Sequence, residues 1–134
     1  MAIALDTSTN GGSTTGTSLT FSHTCTGSTL ILFVGVGIDT ADNTDYITGV
    51  TYNSVAMSVV DAFRSQGAGG TKLYMLVGPS TGANNVVISL SASKLVYGVA
   101  ASYTGAAQTG QPDTSGGTAL DPTASLTVNV TTVA

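Results

Sequence analysis

No window of a dozen residues in this chain can be laid out as an amphipathic helix. Wherever apolar residues fall near i, i+3, i+4 and i+7, a Gly, a Pro or a run of β-branched residues breaks the pattern. What recurs instead, roughly every 10–14 residues, is a short alternating or continuously apolar stretch bounded by Ser, Thr, Gly, Asn or Asp, the mark of an antiparallel β fold.

Read this way, strands are expected at residues 2–6, 17–23, 30–38, 49–53, 55–63, 71–77, 86–90, 95–103 and 126–130. Asn53-Ser54 reads as a hairpin turn, and Gly78-Pro79-Ser80-Thr81-Gly82 as a second reversal. Residues 104–122 form a long loop rich in Gly, Thr, Gln and Pro. About nine strands in one domain, residues 1–134, imply an all-β fold: an antiparallel, jelly-roll-like β-sandwich. The expected core is Leu19, Phe21, Leu32, Val34, Val36, Leu73, Met75, Ile88, Val99 and Val128. The stretch 30–38 is apolar on both faces, as a central covered strand would be. Gly35 and Gly37 share one of those faces, which points to another element packing closely there.

Composition narrows the function. Charged residues are 7% of the chain, against roughly 25% in an ordinary soluble domain. Three bases and a net charge of −4 cannot supply the clustered Lys and Arg that nucleic acid demands. No basic amphipathic stretch suits a membrane surface, and residues 30–38 are too short to span a bilayer. The first residues, Met1-Ala2-Ile3-Ala4-Leu5-Asp6, lack the basic and apolar blocks of a secretory signal. Cys25 is the one cysteine, so the chain forms no internal disulfide.

Residues able to carry chemistry are few. His23 is the one histidine; it reads as a polar position on a strand face, since a catalytic His needs a nucleophile or a carboxylate partner. Cys25 lies two residues on and shares its face, but no third group to orient the pair is evident, and two ligands do not make a zinc site. No nucleophile elbow, phosphate loop or dinucleotide fingerprint occurs. The expectation is therefore a chain without catalytic residues. The densest polar cluster is the loop at residues 39–45, where Asp39, Asp42, Asn43 and Asp45 are the candidate ligands for calcium. The spacing is not that of an EF-hand, and a solvated turn uses the same residue types.

Several segments resemble a β-sandwich module family of phage virion, tail-associated and bacterial surface proteins. They are Thr17-Ser18-Leu19-Thr20-Phe21-Ser22-His23, the apolar stretch 30–37, the hairpin Val50-Thr51-Tyr52-Asn53-Ser54-Val55-Ala56-Met57, the strand Lys72-Leu73-Tyr74-Met75-Leu76-Val77-Gly78-Pro79, and residues 98–105. The resemblance implies a fold and no catalytic residue. With the low charge and the Ser/Thr/Gly-rich surface, it leads to the expectation of a virion structural protein at the virion surface, a capsid decoration, cement or head-fibre protein. Its partners would be other virion proteins, the major capsid protein foremost, and further copies of itself, with a trimer expected. The alternatives are an extracellular carbohydrate- or receptor-binding module of a tail fibre or cell-surface protein, and a filament subunit that exchanges strands.

Overall fold

The computed structural model describes residues 2–65 and 69–116. All regular structure in them is strand: β1 (Ala4–Cys25), β2 (Ile31–Ile38), β3 (Ile47–Tyr52), β4 (Val55–Ala56), β5 (Ser58–Ser65), β6 (Gly70–Val77) and β7 (Gly82–Thr104). They form one antiparallel sheet in the order β4-β3-β7-β2-β6-β5, with β1 along the other edge of β7. The sheet curls until it nearly closes on itself.

The curl comes from the two long strands. β1 and β7 pair from Ala4↔Thr104 to Cys25↔Gly82, with register shifts between Asn10 and Ser13 and between Gly16 and Ser18. At the second shift, Gly16 faces Lys94 while Ser18 already faces Ser89, so β7 carries extra residues at its bend. Such bulges bend a strand and increase its twist. Backbone bonds from Ser91 N–H to the Tyr46 carbonyl and from Asp39 N–H to the Leu95 carbonyl hold the chain on either side of the bend, both at 2.9 Å. Before the bend β7 pairs with β3, and after it with β2.

This explains why the described residues hold seven strands where more were expected. The expected strands at 2–6 and 17–23 are the two ends of β1, and those at 86–90 and 95–103 are the two arms of β7. The Gly- and Ser-rich stretches between them bend without leaving the ladder. The expected strand at 55–63 divides instead: β4 closes a hairpin on β3, and the chain crosses at Met57 to become β5 beside β6. The hairpin turn falls where the sequence put it, with φ of 48° at Asn53 and 64° at Ser54. Two consecutive left-handed residues are what a two-residue turn needs to match the twist of its strands. The expected strand at 126–130, and Val128 with it, lies outside the described residues.

The inner faces of both arms meet in one core. Leu32, Val34, Val36 and Ile38 from β2, Val50 and Tyr52 from β3, Tyr74 from β6, and Val86, Ile88 and Val96 from β7 belong to a single buried cluster with Leu19 and Cys25 of β1. Of the expected core, Leu19, Leu32, Val34, Val36, Met75 and Ile88 are buried, while Phe21 and Leu73 are only partly covered. Val99 is a correction: it is 53% exposed. In the second arm of β7 the face turned inward is the small one, Val96, Gly98, Ala100 and Ser102. The reason is space. A Cβ at Gly98 would lie 2.7 Å from both Ile88 Cδ1 and Phe21 Cε1 and 3.2 Å from Leu19 Cδ2. Only a minimal residue lets these three side chains fill the core there, so the bulky alternate residues of the strand are turned outward.

Candidate functional site

Three places in the fold gather groups able to do chemistry or to bind. The first is internal. His23 at 1% exposure and Ser102 at 0% lie on the inner face, where β1 and β7 bring together residues distant in sequence. Thr9 Oγ1 is 2.8 Å from His23 Nδ1, His23 Nε2 is 3.1 Å from Ser102 Oγ, and the Ser102 hydroxyl donates to Asp6 Oδ2 at 2.7 Å. A hydroxyl has one hydrogen. Ser102 gives its hydrogen to Asp6, so its oxygen accepts from His23 Nε2–H, and Nδ1 accepts from Thr9. The row runs Thr9, His23, Ser102, Asp6 with every donor pointing the same way, and it ends at a carboxylate that also accepts from the backbone N–H and the hydroxyl of Thr26.

The residues Ser, His and Asp invite comparison with a nucleophilic triad, and the direction of the bonds separates them. In a triad the histidine accepts the serine's proton and the carboxylate orients the histidine. Here the serine stands between the other two, and it is sealed from solvent. Burial pushes the His23 proton affinity down from the usual value of 6.5, opposed by the nearby Asp6 charge. Asp6 is lowered from its usual 3.8: partial burial raises it, and the bonds from Thr26 and Ser102 outweigh that. Thr9, Ser102 and Asp6 escaped the sequence reading because nothing local announces a contact between residues 23 and 102.

Next to this row stands Tyr52, its ring edge-on to His23 at 6.4 Å between centroids. Its hydroxyl lies within reach of the carbonyls of His23, Ser80 and Gly82. Burial, reinforced by the neighbouring Cys25 thiol, pushes the phenol up to about 12. Cys25 itself is fully buried.

The second place is the acidic loop. Asp42 accepts from the Thr40 hydroxyl, the Tyr46 hydroxyl and the Thr44 N–H, which together hold its carboxyl well below the usual carboxylate range. Asp45 accepts from the Ile47 N–H and pairs with Lys72 Nζ at 2.7 Å. Asn43 Oδ1 lies 3.0 Å from the Ser65 hydroxyl, which is closer still to the Gly69 carbonyl at 2.7 Å, and Asp39 is tied by its backbone to Leu95. Among the described residues, no three His, Cys, Asp or Glu side chains gather as a metal-binding group.

The third place is the outer face of the β1-β7-β2-β6-β5 side. Cross-strand pairs set Gly35 between Val99 and Leu73, Gly37 between Tyr97 and Thr71, and Phe33 between Ala101 and Met75. Leu5, opposite Tyr103, is 59% exposed, and Tyr97 is 48% exposed. The segment after β7 crosses part of this face. The Ala106 N–H bonds to the Thr29 carbonyl, Ala106 packs on Ile31 and Met75, and the Ser115 hydroxyl donates to the Val60 carbonyl at 2.8 Å. Beyond it, among the described residues, an apolar trough of about 590 Å³ lies over Gly35 and Gly37.

Comparison with known proteins finds no matching family model, no matching curated protein and no matching solved structure.

Proposed function

We propose that this domain is a non-enzymatic structural protein of a virion surface: a capsid decoration, cement or head-fibre protein that acts as a homo-oligomer, a trimer in the simplest arrangement, on the major capsid protein. The observation that carries the reading is the outer apolar face on a chain with so few charges. Leu5, Tyr97 and Val99 stand exposed there, among Ser, Thr and Gly. Small side chains lose little rotamer entropy when two surfaces meet, and low charge removes the repulsion that keeps domains apart. A modest interface repeated over a lattice of identical sites then holds firmly.

In the same reading the fold is a jelly-roll-like sandwich. What supports this is that β1 and β7 bend at their register shifts and that residues on either side of the bends share one buried cluster. The absence of a catalytic role is supported by the direction of the His23–Ser102–Asp6 row and by the burial of His23 and Ser102.

Quantitative mass spectrometry of purified virus particles tests the reading. It expects this chain in a number matching the repeating sites of the shell. A handful of copies would favour a fibre or receptor binder, and absence from the particles would overturn the proposal.

A further inference from the structure

We propose that Asn10 is a self-modifying site: in the folded chain its side chain closes onto the Gly11 amide to form a succinimide, which water opens to aspartate or isoaspartate. The ring closes within one chain, so this stands independently of the virion reading.

The first bulge of β1 assembles the reacting groups. The register passes from Asn10↔Val99 to Ser13↔Tyr97, so Gly11 and Gly12 share the single place opposite Gly98. Among the described residues Asn10 and Gly12 are exposed, and Gly12 has a left-handed backbone with φ of 72°. The Gly12 N–H donates to Asn10 Oδ1 at 2.9 Å. That bond closes an Asx turn, which folds Asn10 Cγ back toward the Gly11 nitrogen. It also sets a backbone donor on the oxygen that gains charge when Cγ is attacked, at the distance an oxyanion donor needs.

The attacking nitrogen belongs to a glycine for a packing reason. A Cβ at Gly11 would run into the Phe21 ring. The core therefore keeps a residue here with no side chain to hinder the approach of its nitrogen. Of the six asparagines in the chain, Asn10 is the one followed by glycine; the others precede Thr44, Ser54, Asn85, Val86 and Val130. Asn53 Nδ2 is bonded to Ser80, and Asn84 Nδ2 to Tyr52 and Thr81, which holds back the group that must leave.

In the first step the Gly11 nitrogen loses its hydrogen to solvent and bonds to Asn10 Cγ. The bond from Cγ to the side-chain nitrogen breaks, and that nitrogen takes up a proton and leaves as ammonia. Water then adds to one of the two ring carbonyls. Opening at the side-chain carbonyl gives aspartate; opening at the main-chain carbonyl gives isoaspartate, with a methylene added to the backbone. Either product puts a new carboxylate at the position paired with Val99.

Timed incubation of the full chain in mildly alkaline buffer, followed by peptide mapping, tests this. Aspartate and isoaspartate should accumulate at residue 10 roughly tenfold faster than at any other asparagine, because the turn holds the reacting atoms close. The rate there should be no slower in the folded chain than in the same chain in urea. Conversion spread evenly over the asparagines, or strong suppression at residue 10 by folding, would overturn the proposal. Hydroxylamine, which cleaves a chain at a succinimide, gives a second readout. It should cut the aged protein after residue 10 and spare Asn10→Gln, whose side chain would have to close a larger ring. Equal cutting of the two, or none in either, would overturn the proposal as well.

Discussion

A single hydrogen on Ser102 sets the direction of the buried row. Because it goes to Asp6, His23 donates from Nε2; burial disfavours a second proton on the ring, so the neutral imidazole accepts at Nδ1 from Thr9. Ser102→Ala leaves a buried His23 donor unmet and removes one of the bonds to Asp6. It should cost about 1–3 kcal/mol, measured by urea unfolding. The same row predicts the response to acid. The folded state lowers the proton affinity of His23 below 6.5, so as pH falls through that value the unfolded chain takes up the proton first and stability declines. Asp6 and Asp42, both lowered from 3.8, add a second decline once the pH drops below that range. Unfolding free energies measured from about pH 8 to about pH 3 should show both steps, and His23→Gln should flatten the first while leaving the second. In the acidic loop, the oxygens of Asp42 and Asp45 are already engaged by hydroxyls, N–H groups and Lys72. Added calcium should therefore leave the melting temperature unchanged; a saturable rise would place the cation among Asp39, Asp42, Asn43 and Asp45. Of these residue-level features the sequence displays the types but not the partners. Ser102 meets His23 and Asp6 only because β1 and β7 are paired along their length.

Among the elements, β7 separates what alternation reveals from what it hides. The period of two at residues 95–103 correctly announces a strand. Which face is buried does not follow from it, because the larger residues are on the outside. The deciding fact is nonlocal: Ile88, Phe21 and Leu19 occupy the space a side chain at position 98 would need. Gly98→Val should therefore cost about 1–3 kcal/mol through overpacking. The exposed Val99→Ser should change stability by no more than about 0.5 kcal/mol. Leu32→Ala, on the fully buried face of β2, should cost about 2–5 kcal/mol. Chemical denaturation of the three variants side by side checks the assignment of faces, and a large loss at Val99 with none at Gly98 would reverse it. The long reach of β1 was hidden for a related reason. Residues 7–16 have no apolar pattern, and they extend because the edge of β7 offers them backbone partners.

At the scale of the whole molecule, the all-β character and antiparallel arrangement of the described residues were legible from the chain, since they follow from turn chemistry and alternation. The curl was not, since it depends on bulges that look like loops in sequence. The curl and the inverted face of β7 together leave a domain with His23 and Ser102 buried inside and aliphatic side chains such as Leu5 and Val99 outside. That arrangement underlies the central claim, that the outer face is a contact surface through which copies associate. Sedimentation velocity of the intact protein beside Leu5→Asp/Val99→Asp tests it most directly. The intact protein should sediment as a homo-oligomer, and the variant as a monomer whose unfolding midpoint is close to that of the parent, because both substituted residues are exposed. A parent that stays monomeric at high concentration, or a variant that remains fully associated, would contradict the account.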